Sequence, residues 1–485
     1  MGVSILTPSL AHIINQSVKL GIFPDKWKEA KVLPLHKSGD DDNPSNYRPI
    51  SILPVLSKII ERHVHNHLYK YLDEYNLIYE FQSGFRPKHS CETALLRTIN
   101  TWLKAIDESK IVGAIFLDLQ KAFDVVNHEI LLDKLSLYGM SQVTLRWFRS
   151  YLYNRKQKVT ANGYYSDFKN IISGVPQGSI LGPLLFILFI NDIFMHENVN
   201  CSDLYADDST MYAIGSTVSE VEKKLILDLK EILKWCSNNK MYINEEKTKS
   251  MLLCTRQKKI HLQNDLHIQI NENQLKNSHK EKVLGVHIDE HLSWTQQIDE
   301  TCKKVSRILH AFRKSRKNLP LKTRILFYNA YILPYINYCC PVWGNCSIAQ
   351  QNRLVKLQKM AARLIMDEDF SVPSQSLFTK LKWLPFPKYV QYHQAKMVYK
   401  SLNNMCPSYM NDMFSYIQDS HGYNTRNASS SLLAMPKTHK SIGQKSFSYA
   451  GAKVWNNLSE RTRDAPSLTS FKSRCFKEIN VSTVR

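Results

Sequence analysis

The sequence predicts an α+β fold that continues into a mostly α-helical C-terminal region. Before about residue 290, short apolar runs alternate with helical patterns, whereas helical patterns dominate after it. The chain has 485 residues, which is too long for one compact core. We therefore expect more than one packed unit, with strands confined to the first part of the chain.

Two acidic segments in the first half predict a catalytic edge. The run 111–117 (IVGAIFL) is continuously apolar, as expected of a central strand covered on both faces, and it ends at Asp118. Further on, two strand-like arms flank Asp207 and Asp208, which predicts a β-hairpin with both acids at its tip. Asp is common in turns, so each segment alone is weak evidence. Together they predict one acidic edge if the hairpin lies beside the strand.

Three carboxylates on one edge would repel each other, and a divalent cation would relieve that repulsion. Hard carboxylate oxygens suit Mg²⁺, which is usually held by few protein ligands together with substrate phosphates. Two such ions, ~3.5–4 Å apart, can activate a primer 3′-hydroxyl and stabilise the leaving pyrophosphate. The residues thus predict nucleotidyl transfer, with Asp118, Asp207 and Asp208 as ligands of two Mg²⁺ ions, for which Mn²⁺ is the expected substitute.

A Gly/Pro-rich segment at 173–183 (SGVPQGSILGP) leads into an apolar run and predicts a turn followed by a buried helix. Glycines in such a turn let a base pair approach the backbone closely. A plain tight connection between a strand and a helix is the competing interpretation.

The charge balance indicates a nucleic-acid partner. The chain has 64 Lys and Arg against 43 Asp and Glu, a net charge of +21. The net charge could instead reflect a solvated basic surface or attraction to an acidic membrane. Residues 301–350 contain no acidic residue and carry a basic stripe made of Lys303, Lys304, Arg307, Arg313, Lys314, Arg316, Lys317, Lys322 and Arg324. The longest apolar run, 180–190, is too short to span a bilayer, so no membrane role is predicted.

The ten cysteines are scattered and form no CxxC pair, which predicts reduced thiols in an intracellular protein. The N-terminus has no basic region followed by an apolar one, so it does not resemble a signal peptide. We expect no zinc site of the kind built from closely spaced cysteines.

The order of five segments resembles motifs A to E of reverse transcriptases: FLDLQKAFD, SGVPQGSILGP, YADD, NEEKTK and VLGVHID. Upstream, the segments around NYRPISIL and FQSGFRPKHS resemble the fingers of non-LTR (LINE-type) retrotransposon enzymes, in particular the jockey-like group. The resemblance implies a right-hand polymerase fold of fingers, palm and thumb. It also implies RNA-directed DNA synthesis from dNTPs on an RNA template with a DNA primer.

The same resemblance implies four segments along the chain. Residues 1–110 would form an N-terminal extension and the fingers, and residues 111–290 the palm with a fingers insertion. Residues 291–400 would be a helical, basic thumb, and residues 401–485 a C-terminal tail of unknown function. Within that tail, the polar stretch Asn424–Ser431 predicts an exposed loop in a loosely organised segment.

Family motifs also imply roles for single residues. Phe123 falls where the family has an aromatic gate against the ribose 2′-hydroxyl, although an ordinary core aromatic is the competing interpretation. Gln177 and Gly178 would border the incoming nucleotide and its template base. Lys247 would protonate or neutralise the leaving pyrophosphate.

Two arginines and one turn complete the implied site. Arg48 and Arg86 match fingers positions that would meet the triphosphate or the template, since guanidinium pairs well with phosphate. Either could instead be an ordinary surface arginine. Leu284 and Gly285 fall in the motif linked to the primer grip.

Departures from the family keep other functions open. Elements of this group usually carry an upstream endonuclease, so endonuclease activity is expected to be missing from this chain. A catalytically decayed or repurposed nucleic-acid-binding fragment is the main alternative, and a group II intron-type maturase is a third. By resemblance, we expect synthesis in the cytoplasm and action in the nucleus as a ribonucleoprotein.

Overall fold

The computed structural model describes residues 2–161, 163–195, 201–262, 264–420 and 431–481. The chain forms two compact units, each made of several chain segments. Unit 1 comprises residues 1–85, 116–211 and 226–248, and unit 2 comprises residues 86–115, 212–225 and 249–485. These bounds differ from the four segments implied by resemblance, and the division into fingers, palm, thumb and tail stays a prediction.

Helices occur along the whole described chain. Those before residue 262 are α1 (Gly2–Leu20), α2 (Val55–Glu74), α3 (Cys91–Asp107), α4 (His128–Leu137), α5 (Gln142–Leu152), α6 (Leu181–Ile190), α7 (Val218–Asn239) and α8 (Arg256–His261). Those after it are α9 (Thr295–Ser315), α10 (Leu321–Tyr331), α11 (Leu333–Asn337), α12 (Cys340–Trp343), α13 (Ile348–Met366), α14 (Ser374–Leu381), α15 (Phe386–Leu402), α16 (Ser408–Asn411), α17 (Ile417–Ser420), α18 (Phe447–Asn456), α19 (Glu460–Arg463) and α20 (Leu468–Val481).

Strands end at residue 289 within the described part of the chain, as the change of pattern near residue 290 predicts. They are β1 (Glu29–His36), β2 (Tyr47–Ile52), β3 (Ile111–Leu117), β4 (Arg155–Ala161), β5 (Tyr164–Tyr165), β6 (Lys169–Ile171), β7 (Ser202–Tyr205), β8 (Asp208–Gly215), β9 (Lys249–Leu253), β10 (Gln269–Ile270), β11 (Asn273–Gln274), β12 (Lys276–Asn277), β13 (Lys280–Val283) and β14 (Val286–Asp289). The predicted α+β fold with a mostly helical C-terminal region is confirmed.

Two five-stranded sheets carry the acidic residues and the basic hairpin near them. The first has the order β2-β1-β4-β5, with β6 also paired to β4, and lies in unit 1. In it, β1 and β2 are antiparallel, with Leu35 opposite Arg48. The second has the order β12-β9-β3-β8-β7, and its strands β3 and β8 have residues in both units. Within unit 1, β7 and β8 form an antiparallel hairpin in which Tyr205 lies opposite Asp208.

The core of unit 1 includes α6, whose sequence LGPLLFILFI is apolar on every side. A helix without a polar face is stable only when protein surrounds it, and all its residues except Pro183 are buried. Strand β3 is buried along most of its length, as expected for a central strand. Both elements occur where the sequence predicts them.

Unit 2 has an amphipathic helix at α9. Its apolar residues Val305, Leu309 and Phe312 are buried, whereas Lys303 and Arg307 of the basic stripe are exposed. All ten cysteines are free thiols, in line with the sequence. Within the described residues, no helix is both long enough and apolar enough to cross a membrane.

The tail is more ordered than the sequence predicts. In unit 2, α18 and α20 both pack against α15, and Trp455 stacks on Phe471 with ring centroids 5.9 Å apart. Both rings are at most 2% exposed. The expectation of a loose segment is therefore wrong for residues 431–481. Most of the predicted loop Asn424–Ser431 lies outside the described residues.

Candidate active site

Asp118 follows β3 directly, and hydrogen bonds to a second segment fix its backbone. Its N–H donates to Thr248 Oγ1 (3.2 Å), and its carbonyl accepts from the Asn244 N–H (2.7 Å). Lys247 lies between these two residues, in a turn closed by its own N–H donating to the Asn244 carbonyl (3.2 Å). The turn that carries Lys247 is thus attached to the strand end that carries Asp118.

The other two acids lie at the tip of the β7–β8 hairpin. Asp207 is in the turn and Asp208 begins β8, as the sequence predicts. The turn passes through Ala206 at φ +58°, and the Ala206 N–H donates to Gln82 Oε1 (2.9 Å). The hairpin tip is therefore held by a neighbouring segment of unit 1 in addition to its own ladder.

The charge of Asp118 acts on the two hairpin acids, and that of Asp207 acts on Asp208. Both hairpin acids reach solvent at the surface, but protein surrounds them on their other sides. This desolvation raises the pKa of Asp207 and of Asp208, and the charge of Asp118 raises both further. Lys37 lowers the pKa of both acids, and Arg48 lowers that of Asp207. The site thus concentrates negative charge with cationic groups nearby.

This donor set fits a divalent metal, because desolvated carboxylates that repel each other gain most from a cation. Another group of three acids lies closer together in the described residues. Asp40, Asp41 and Asp42, on the loop after β1, have carboxylate oxygens within 4.8 Å of one another. That group is exposed to solvent, and exposed acidic loops are common without any ion, so it does not compete as a catalytic site.

The cationic groups beside the acids come from the β1–β2 hairpin. Lys37 follows β1, and its N–H donates to the Asn46 carbonyl (2.8 Å). Arg48 lies in β2, and both side chains are exposed. Arg48 is thus brought close enough to influence Asp207, while its contact with a triphosphate stays a prediction.

The predicted turn at 173–183 packs on the motif that carries Phe123. Gln177 accepts from the Ser51 N–H through its backbone carbonyl (2.7 Å) and donates from Nε2 to Asp124 Oδ1 (2.9 Å). Gly178 has φ +121°, and a Cβ there would lie 2.3 Å from the Ser51 carbonyl oxygen. Only glycine fits at this position without local rearrangement.

Phe123 is half-buried and held by two other aromatic rings. It stacks on Phe186 of α6 (centroids 4.1 Å apart, planes at 22°), and Phe85 meets it edge-on (6.3 Å, 88°). Phe85 is 55% exposed. The ring of Phe123 is therefore supported by the core on one side, as a gate residue needs, although this packing also suits an ordinary aromatic.

The segment that precedes Phe85 lies against the hairpin of Asp207. The Ser83 N–H donates to the Leu204 carbonyl (2.7 Å), and the Leu204 N–H donates to the Phe81 carbonyl (3.1 Å). A Cβ on Gly84 would lie 2.3 Å from the Ala206 nitrogen. Close backbone approach at Gly84 thus places the two segments side by side.

Three residues implied by the resemblance lie in unit 2. Arg86 begins that unit, and Leu284 and Gly285 form the tip of its β13–β14 hairpin with φ +45° and +82°. The Tyr338 hydroxyl donates to the Leu284 carbonyl (2.8 Å). Their proposed contacts with template and primer stay predictions, as do the roles of Lys247, Gln177 and Phe123.

Sequence reasoning did not assign roles to Lys37, Asp124, Asn244 or Thr248. The last three lie within the quoted segments FLDLQKAFD and NEEKTK, and Lys37 precedes a polar turn. Their contacts join segments far apart in the chain, so no local pattern could reveal them. The quoted motifs were the only available signal.

Comparison with known proteins identifies the family of the chain. Residues 35–288 match the family model described as reverse transcriptase (RNA-dependent DNA polymerase), which is more than half of the chain. The chain therefore belongs to the reverse transcriptase family and has its right-hand polymerase fold.

The chain is also similar to RNA-directed DNA polymerases of mobile elements. It is 30% identical over 391 residues to the RNA-directed DNA polymerase from mobile element jockey of Drosophila melanogaster, matching 77% of this chain and 41% of that protein. It is 28% identical over 404 residues to the probable RNA-directed DNA polymerase from transposon BS of the same species, matching 80% of this chain and 44% of that protein. The chain thus spans less than half the length of these relatives.

A solved structure of apo telomerase from Candida tropicalis is also similar, with a TM-score of 0.41 and 13% identity over 84% of this chain and 74% of that one. A TM-score of 0.41 supports no further statement about this chain. Its family is assigned from the sequence match.

Proposed function

We propose that this chain is the RNA-directed DNA polymerase of a non-LTR retrotransposon, extending a primer 3′-hydroxyl with dNTPs on an RNA template. The observation that carries the proposal is the grouping of Asp118, Asp207 and Asp208, whose charges interact across two elements of unit 1. Nuclear action as a ribonucleoprotein is part of the proposal, and its support is the family resemblance alone.

The three acids would hold two Mg²⁺ ions, or Mn²⁺ in their place. When bound, these ions would lower the pKa of the primer hydroxyl and neutralise charge on the phosphates. Lys37 and Arg48 would orient the triphosphate, because both are exposed cations close to Asp207. Lys247 would donate a proton to, or neutralise, the departing pyrophosphate, and its turn is tied to Asp118.

Selection of the nucleotide would fall to the neighbouring turn and ring. Gln177 and Gly178 would face the nucleotide and its template base, with the Gln177 amide fixed by Asp124. Phe123 would exclude the ribose 2′-hydroxyl, and its stack on Phe186 would keep the ring from moving aside.

Primer extension by the purified chain tests the proposal. We expect dTTP to be added to oligo(dT) on poly(rA) with Mg²⁺, and addition to stop when EDTA removes the metal. The Asp207→Asn variant is the control for contaminating polymerases. Extension by the wild type alone supports the assignment, whereas equal extension by both proteins contradicts it.

The main alternative is a nucleic-acid-binding protein without catalysis, favoured by the exposed basic side chains on α9. It predicts template binding that weakens steeply with salt, because phosphate contacts release counterions, but no nucleotide addition at any metal concentration. Measuring binding and extension on the same folded preparation separates the two functions.

Replacing Phe123 with Val should relax sugar selection. The smaller side chain would leave room for a 2′-hydroxyl, so we expect the ratio of kcat/KM for dTTP over rUTP to fall roughly tenfold or more. Single-nucleotide extension with each substrate measures this ratio.

Phe370→Val is a suitable comparison for that variant, because Phe370 is 85% exposed and lies in unit 2. It should leave discrimination unchanged. Unchanged discrimination in the Phe123→Val enzyme as well would assign the gate to another residue.

A further inference from the structure

A buried carboxylate behind the 173–183 turn has no part in the chemistry described above. Glu61, on α2, has no solvent exposure. Its Oε2 accepts hydrogen bonds from the backbone N–H groups of Ile180 (2.7 Å) and Leu181 (3.3 Å), where α6 begins. Fully buried glutamates are rare unless paired, so a specific role is expected.

The first N–H groups of a helix have no partner within the helix and carry its positive end. At α6 no side chain of the N-cap residue accepts them. Glu61 supplies this acceptor from another helix, so it joins α2 to the start of α6.

The same helix start is continuous with the turn that meets the nucleotide in the proposed function. Ser179 donates from Oγ to the Pro176 carbonyl (2.8 Å) and accepts from the Gly182 N–H (2.8 Å), which locks the turn to the first helical residues. Gln177 and Gly178 lie between these bonded residues. A shift of Ile180 would therefore move both of them.

The surroundings of Glu61 show that its charge is costly to keep buried. Desolvation raises the pKa of its carboxyl, and the bonds from Ile180 and Leu181 together with the charge of Arg155 oppose that rise. Arg155 is 1% exposed and donates from Nη1 to the Tyr151 carbonyl (2.9 Å). Within the described residues, Arg155 Nε has no hydrogen-bond partner, whereas the Glu61 carboxyl lies close to the Ser57 and Tyr151 hydroxyls. Burying this carboxylate costs free energy, which the two N–H bonds and the charge of Arg155 offset.

We propose that Glu61 is a positioning residue for nucleotide binding, which holds the Gln177–Gly178 turn in place by anchoring the first turn of α6. The inference rests on the proposed function, because it assumes that this turn meets the nucleotide. Glu61 itself does not touch substrate.

Two substitutions distinguish the effect of the hydrogen bonds from Ile180 and Leu181 from the effect of the negative charge of Glu61. Glu61→Gln keeps the length and an acceptor oxygen but loses the charge opposite Arg155. Glu61→Asp keeps the charge but is one methylene shorter, so it cannot reach both N–H groups. We expect Glu61→Gln to lower the Tm while its KM for dTTP stays within about twofold of wild type, and Glu61→Asp to raise that KM by roughly tenfold. The affinity for template–primer should not change in either variant.

Glu74→Gln, at the exposed end of the same helix, is the matched control and should change neither the Tm nor the KM for dTTP. A KM raised equally by Gln and Asp, or raised by neither in folded protein, would overturn the proposal. Amide hydrogen exchange over residues 176–190 gives a readout that does not need activity: faster exchange in Glu61→Asp than in Glu61→Gln is expected. If the wild type proved inactive, the proposed function would fail, and equal exchange in both variants would separately refute the anchoring.

Discussion

Replacing Asp207 with Asn is expected to reduce Mg²⁺-dependent primer extension by roughly a thousandfold or more, the upper range for loss of one preorganised electrostatic group. The substitution keeps the shape of the side chain but removes a negative charge that Asp118 acts on and that itself raises the pKa of Asp208. A neutral amide is a poor ligand for a hard cation, so metal affinity and rate should fall together.

Asp133→Asn provides the control for that substitution, because Asp133 is an exposed acid of α4 in the same unit. It should retain full activity. Template–primer binding by Asp207→Asn should be preserved or slightly stronger, since a repulsive charge is removed. Extension within tenfold of wild type by Asp207→Asn, at about saturating Mg²⁺, would refute the metal-binding role of this carboxylate.

Gly178→Ala should be the second most damaging change. The new Cβ would meet the Ser51 carbonyl oxygen at 2.3 Å, and φ +121° is strained for any residue with a side chain. The turn must move to relieve the clash, and a displacement of about 1 Å at a binding site can cost roughly a hundredfold in rate. Steady-state extension should show kcat/KM for dTTP lowered by about that factor.

Gly163→Ala distinguishes the effect of backbone strain from that of a steric clash. Gly163 also has a positive φ (+83°), but a Cβ there would have no atom of the described residues within 4 Å. We expect a small loss of thermal stability and normal activity from this variant. If both alanine variants had the same kcat/KM for dTTP, the close approach of Gly178 to Ser51 would not matter for activity.

Local patterns predicted the elements that depend on local chemistry. The bounds of β3 follow from seven consecutive apolar residues that end at a charge, and those of α6 follow from a run without any polar face. The β7–β8 hairpin was predicted from two strand-like arms around Asp207 and Asp208. In each case neighbours in the chain determine the structure.

What sequence could not predict are the contacts between distant segments. The bond from Gln177 to Asp124 joins residues 53 positions apart, and that from Ile180 to Glu61 joins residues 119 apart. Such pairs form only when packing brings two elements together, so neither residue carries a local signal for the other. The ordered packing of residues 431–481 was not predicted, for a related reason. Trp455 and Phe471 are core residues of α18 and α20, and their rings meet only because these two helices pack together.

The pairing of residues 81–84 with the Asp207 hairpin restricts how this active site could open and close. Three hydrogen bonds and the backbone approach at Gly84 join the two segments. Any hinge that admits a nucleotide must therefore lie outside them, because bending between them would break all these bonds together. Residues 81–84 and 204–207 should therefore move together as one rigid body.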